Sequence, residues 1–245
     1  MRYLVLSDIH ANLAAFQAVL ADAGSYDQLI FLGDLANFGP DPAACVDLLG
    51  SCKAICIMGN HDADIVSDSP EHPWDQWARE RLSRRQLCWM QDFLPSYILD
   101  GHILITHGVY TVPYDILPNT PDEQIEAAFR GQLVPGIDQV WFGHYHYQLD
   151  RTINGVTYRC IRPVGHHRDK DTRASYSIYE NGRITHKRVA YPLDRTLAGL
   201  QKLDCFGSEE TKQMFLEFFK QAFHEKLLHK DLQAMRENER IREKH

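Results

Sequence analysis

The chain of 245 residues reads as an α/β protein, with a parallel sheet first, a second sheet after it and a helical extension at its end. Two patterns carry that reading. Short apolar runs alternate with amphipathic stretches over the first sixty residues, and each of five such runs stops at a glycine, aspartate, asparagine or histidine. Past residue 150 the rhythm changes to alternating segments joined by a turn, the pattern of hairpins.

The first run, Tyr3 to Leu6, gives way to Ser7-Asp8-Ile9-His10. In extended chain, residues two apart point to the same side, so Asp8 and His10 face one point as the strand becomes a loop. Asn12 to Ala23 then has Leu13, Phe16, Val19 and Leu20 at helical spacing. The next run, Leu29 to Leu32, delivers Gly33-Asp34. Asp41-Pro42 starts a second helix and Gly50 ends it, the usual cap and stop residues. Ala54 to Met58 leads to Gly59-Asn60-His61-Asp62. Right-handed crossovers make these three strands one parallel sheet.

Residues 63–94 carry Trp74, Trp77 and Trp89 with four arginines, and read as two short helices, the second opened by Ser83-x-x-Gln86. Tryptophans in the core with solvated arginines outside account for this stretch better than stacking on nucleic acid. His102 to Thr106 ends in His107, and Gln139 to Phe142 ends in Gly143-His144-Tyr145-His146. Between them, residues 110–135 hold one helix, begun by Thr120-Pro121-Asp122-Glu123. They form a rim or lid in which Tyr110 and Tyr114 either touch a substrate or simply pack. Val156–Ile161, Ala174–Tyr179 and Ile184–Val189 follow, the last two joined through Asn181-Gly182, and are expected to form a second, mostly antiparallel sheet.

From Ser208 the chain reads as one amphipathic helix whose stripe is Phe215, Phe218, Phe219, Ala222, Phe223, Leu227 and Leu228. Four phenylalanines on one face need covering, by the body of the same chain or by a second subunit in a homo-oligomer.

Five polar endings at the carboxyl ends of strands describe one site in an open α/β sheet. Asp8-x-His10, Gly33-Asp34 with Gly39, Gly59-Asn60-His61-Asp62, His107 and Gly143-His144-x-His146, in this order, resemble the motif set of the calcineurin-like metallophosphoesterases, over residues 1–190 or so. That resemblance implies two packed mixed sheets flanked by helices over residues 1–192, with 193–245 as a C-terminal extension. It also implies two divalent ions, one held by Asp8, His10, Asp34 and His146, the other by Asp34, Asn60, His107 and His144. The implied chemistry is hydrolysis of a phosphoester by a hydroxide between the ions, with His61 as general acid. Oxygen and nitrogen ligands without thiolate suit Mn, Fe, Ni, Co or Zn, with Mn favoured.

One departure narrows the substrate. The protein Ser/Thr phosphatases of the superfamily have an arginine that grips phosphate where this chain has Phe38, and an aspartate that orients the catalytic histidine where it has Asn37. Asn37 is expected to accept from His61. A small phosphorylated molecule or nucleotide is therefore preferred over a phosphoprotein. Arg168, His166 and His167, in the loop after the fifth polar ending, are candidates to hold the substrate, with Arg168 paired to Asp169 or Asp171 as the structural alternative. A non-catalytic scaffold, as the retromer subunit of this fold is, would typically have lost some of these ligands or the histidine.

The formal net charge of −7 argues against bulk nucleic-acid binding. No apolar run reaches the ~20 residues that span a bilayer. Six scattered cysteines without a CxxC pair and no leader pattern lead to the expectation of a cytoplasmic protein with reduced thiols.

Overall fold

The computed structural model describes residues 1–242. Its first sheet has the order β10-β9-β1-β2-β3: β1 (Arg2–Leu6), β2 (Gln28–Phe31) and β3 (Ile55–Cys56) run parallel, and β9 (Ala174–Glu180) lies antiparallel to β1 with β10 (Arg183–Val189) outside it. The second sheet, β4-β5-β6-β8-β7, is built from β4 (Ser96–Leu99), β5 (Ile103–Thr106), β6 (Gln139–Phe142), β7 (Leu149–Ile153) and β8 (Val156–Cys160). In it β5, β6 and β8 are parallel and the two edge strands antiparallel.

The hairpin β9-β10 therefore extends the first sheet instead of founding the second, as the sequence suggested. Its burial explains why. All of Ala174 to Tyr179 is buried, so β9 needs a neighbour on each edge, which β1 and β10 supply. Only β8 of the three late strands joins the second sheet.

The two sheets pack face to face. Alternate residues of β1 go to opposite sides, Tyr3 and Val5 meeting Ile103, Ile105 and Trp141 of the second sheet, while Leu4 and Leu6 meet the helices. Those helices are α1 (Leu13–Ala23), capped by Asn12 through a bond from the Ala15 N–H, and α2 (Pro42–Ser51). Residues 60–91 form three further helices, α3 (Asn60–Val66), α4 (Pro73–Arg81) and α5 (Arg84–Gln91), the last with the expected Ser83–Gln86 box. On the outer face of the second sheet lies α6 (Asp122–Phe129), burying Ile125 and Phe129. Its start differs from expectation: the Thr120 hydroxyl accepts from the Leu117 N–H, 2.8 Å, and does not cap the helix.

The extension comprises α7 (Leu193–Leu200), α8 (Glu209–Gln221) and α9 (His229–Arg242). The expected single helix from Ser208 is two, broken at Ala222, whose φ of +49 is left-handed. The break lets the apolar stripe fold over the body: Phe215, Phe218, Phe219 and Leu228 are buried with Phe38, Trp74 and Trp77. Positions 243–245 of the anticipated extension lie outside the described residues.

Candidate metal centre

Loops at the carboxyl ends of β1, β2, β5 and β6 and the start of α3 converge on one point. Their backbone is strained there. Asp8, His10, Asp34, His144 and His146 all have positive φ, between +49 and +69. Non-glycine residues rarely hold that conformation, and it concentrates at functional sites. The loops also approach unusually closely: a Cβ on Gly59 would land on Asp34 Oδ1. Asp62 staples the same two loops, accepting from the N–H groups of Asp34 (2.8 Å), Leu35 (2.8 Å) and Gly59 (3.1 Å).

Two groups of ligating atoms share Asp34: Asp8, His10 and Asp34 lie together, as do Asp34, His107 and His144, and a further group of His10, His146 and His166 adjoins the first. His146 Nε2 is 3.1 Å from Asp8 Oδ1 and 3.0 Å from His10 Nε2. On the other side, His107 Nε2 is 3.1 Å from Asp34 Oδ2. Asn60 stands at the rim, its Oδ1 3.5 Å from the Tyr110 hydroxyl, and Tyr110 lies edge-on to His144.

The far side of three of the four rings is tied down. His10 Nδ1 donates to Asn37 Oδ1 (2.5 Å), and His107 Nδ1 donates to the Leu32 carbonyl (2.6 Å). His146 Nδ1 is bonded to His166 Nδ1 (3.2 Å). Each bond turns an Nε2 lone pair toward the centre, the way second partners fix histidine ligands. Burial holds His10 down to about 4, and burial with His107 nearby holds His144 down to about 3. Burial alone would also discharge His107, but Asp34 outweighs it and carries this ring up to about 9.

A dication answers what these atoms lack. Asp8 Oδ1 and His107 Nε2 are buried with no hydrogen-bond partner among the described residues, although each faces a neighbour near 3 Å. Unsatisfied buried atoms are rare, and a gathering of carboxylate and imidazole donors around them fits metal ions.

The sequence matched residues 1–148 of the chain to the model of the calcineurin-like phosphoesterases, more than half its length. It belongs to that family. An uncharacterised protein of Methanocaldococcus jannaschii is 38% identical over 226 residues, covering 81% of this chain and 91% of that one. The crystal structure of a metallophosphoesterase from Sphaerobacter thermophilus matches with a TM-score of 0.74 at 28% identity, covering 89% of this chain and 99% of its own. A hypothetical protein from Pyrococcus horikoshii shares the fold, with a TM-score of 0.73 at 17% identity over 87% and 97% of the two chains. The phosphoesterase chain is thus a phosphoric ester hydrolase with the two-sheet architecture of its relatives.

Other predicted residues fall in unexpected places. Asn37 serves His10, not His61. His61 Nδ1 donates instead to Asp75 Oδ2 at 2.8 Å, a carboxylate buried on α4 that sequence reasoning missed. Burial works against a charge on His61, but Asp34 and Asp75 together raise its pKa above the ordinary value. Burial also pushes Asp75 up, to about 6, against the pull of His61. Asp64, His72 and Asp75 form a further cluster behind this pair.

Of the three substrate candidates, His167 is turned away, its Nε2 donating to the Val164 carbonyl at 3.2 Å. Two residues earlier, Gly165 leaves no room for a side chain, since a Cβ there would meet the Ile9 carbonyl. Arg168 lines the cavity beside the centre but pairs with Asp231 of α9 at 2.9 Å, with neither Asp169 nor Asp171. His166 lines it too, clamped between Phe38 and Phe218 with ring centroids 5.1 and 4.3 Å away.

Phe38 sits in the cavity wall beside His61, Trp74 and Phe215. Tyr114 packs, donating to the Gln124 carbonyl. Among the described residues no helix is long and apolar enough to cross a membrane.

Proposed function

We propose that this protein hydrolyses a small phosphoester at a centre for two divalent ions, the first held by Asp8, His10, Asp34 and His146 and the second by Asp34, Asn60, His107 and His144. The observation that carries this reading is Asp34, which stands in both groups of ligating atoms. A carboxylate common to two ligand groups is the arrangement that would hold a pair of ions for phosphoester hydrolysis. Bound there, the ions would supply Lewis acidity and an acidified water. Manganese is our favoured metal, since the donors are oxygen and nitrogen with no thiolate among them.

The chain's own residues do the rest. As water adds to phosphorus and the ester P–O bond breaks, the leaving oxygen takes the proton on His61 Nε2. His61 lines the cavity, and its Nδ1 is held by Asp75, which leaves Nε2 as the proton donor. Asp75 keeps a negative charge behind the ring, favouring the protonated form needed for that step. His146, by donating from Nδ1, leaves His166 with its proton on Nε2. That atom is buried without a partner among the described residues and is a donor for a substrate oxygen.

Phe38 favours a small substrate over a phosphoprotein, since a phenyl ring replaces the cation that would grip a protein phosphate. We place the chemistry in residues 1–192 and assign the shaping of the cavity to the extension after them. Six free cysteines suit a reducing cytoplasm. The test is to load the protein with manganese and assay a model phosphomonoester and a model phosphodiester while measuring bound metal. Turnover of either ester with two ions per chain is expected. Two bound ions without turnover of either would overturn the hydrolytic assignment.

A further inference from the structure

The cavity at the metal centre has two unlike walls. One is polar, with Asp34, His61, His144 and His146; the other is Phe38, Trp74, Phe215, Phe218, Leu227 and Leu228, mostly from α8 and the segment that joins it to α9. We infer that this apolar wall is the subsite for the alcohol part of the substrate, and that it selects phosphoesters of a single ring or short apolar chain. The inference rests on the proposed phosphoester reading and names the substrate class of that same site.

Three observations support it. First, the wall is aromatic where it meets the proton donor: Phe38 lies edge-on to His61 at 4.9 Å, with Trp74 and Phe215 behind it. The group whose oxygen His61 protonates therefore leaves into an apolar environment, where a ring gains both burial and favourable ring geometry. Second, the volume is about 190 Å³. Drug-sized ligands occupy roughly 300–1,000 Å³, whereas a cavity of about 150 Å³ takes one benzene. A phosphate and a single ring fit; a nucleic-acid strand or a folded phosphoprotein does not.

Third, the wall is fastened. Asp231 of α9 accepts from Arg168 Nη1 (2.9 Å) and from the Tyr147 hydroxyl (3.1 Å). The Met235 carbonyl accepts from Asn119 Nδ2 (2.7 Å), and the Ala222 carbonyl from the Lys170 N–H (3.1 Å). The apolar wall is thus part of the resting architecture, with Leu227, 37% exposed, at its mouth.

The test compares benzyl and methyl phosphate, whose leaving alcohols have similar acidity, each as the monoester and as its methyl diester, with a phosphoserine peptide as the large substrate. One ring in an apolar pocket is worth at least about tenfold, so kcat/KM should favour the benzyl compounds by that factor, and the peptide should be inert. Phe215→Ala should lower kcat/KM for the benzyl esters about tenfold more than for the methyl esters, removing the preference. Leu227→Ala, at a half-exposed site where folding is not at stake, should reduce it and admit bulkier esters. Binding of benzylphosphonate, followed by tryptophan fluorescence, gives the same ranking without turnover.

Equal rates for benzyl and methyl esters, or ready hydrolysis of the peptide, would overturn the subsite and leave the hydrolase standing. Inactivity toward every ester would instead strike the hydrolase reading. Benzylphosphonate binding that weakens on Phe215→Ala would then still uphold the subsite, and absence of that binding would end it.

Discussion

The strand-end loops and the C-terminal helices face each other across one cavity, and they are built by opposite rules. In the loops, seven non-glycine residues hold left-handed backbone, polar atoms are buried without partners among the described residues, and glycines let main chains touch. In the helices, phenylalanines and leucines fill a conventional apolar cluster, and a single left-handed residue, Ala222, marks the bend between α8 and α9. The loops store backbone strain held by hydrogen bonds such as those to Asp62, whereas the helices gain stability chiefly from burial. Chemistry is therefore assigned to the strained side and substrate selection to the relaxed one.

That division can be broken from either side, beginning with the largest effect. Asp34→Ala removes the one carboxylate common to both ligand groups, so elemental analysis should find the ions lost and turnover at background. The fold should survive, because α1, α2 and both sheets pack elsewhere. His61→Ala should lower kcat by ~10²–10⁴-fold, the usual worth of a general acid, with both ions retained. Loss of metal in that variant would move His61 among the ligands.

Asp75→Asn keeps the shape of α4 but removes the charge behind His61. We expect a fall in kcat of roughly 10–100-fold with KM unchanged, in line with other outer partners of active-site histidines. The loss should be greatest for esters of poorly acidic alcohols, whose leaving oxygen most needs a proton. An equal loss for nitrophenyl esters would point to a structural role. Asn37→Ala should leave that leaving-group dependence alone and weaken metal affinity by about tenfold, because Asn37 orients His10.

On the relaxed side, Phe218→Ala should cost about 3–5 kcal/mol of stability in a denaturant titration, the usual penalty for emptying a buried aromatic site. It should leave metal content intact. A variant that lost its ions instead would show that the two walls are one structural unit.

How far the sequence spoke for itself follows the same division. Candidate ligands at strand ends are legible because strand and loop are local; Asp8, His10, Asp34 and Asn60 follow strands of the first sheet and His107, His144 and His146 strands of the second, and the packing of the two sheets brings the sets together. Asp75 was not legible. It lies on a helix among tryptophans and arginines, and its meeting with His61 depends on how α3 and α4 fold back on each other.

The fate of Asn37 was misread for a similar reason. Phe38 beside it has φ +61, and the resulting turn aims Asn37 at His10. For the hairpin β9-β10, local pattern gave the strands and the turn but not the sheet they join, since pairing with β1 spans more than 170 residues. The stripe of phenylalanines announced a need for cover. Only the packing shows that Phe38, Trp74 and His166 provide it.

The claim beneath all of this is that one aspartate joins two ions. Metal content measured on wild type and Asp34→Ala after manganese loading tests it most directly. We predict two ions per chain in the first and loss of both sites' affinity in the second; a single ion in the wild type, or two that persist in Asp34→Ala, would contradict it.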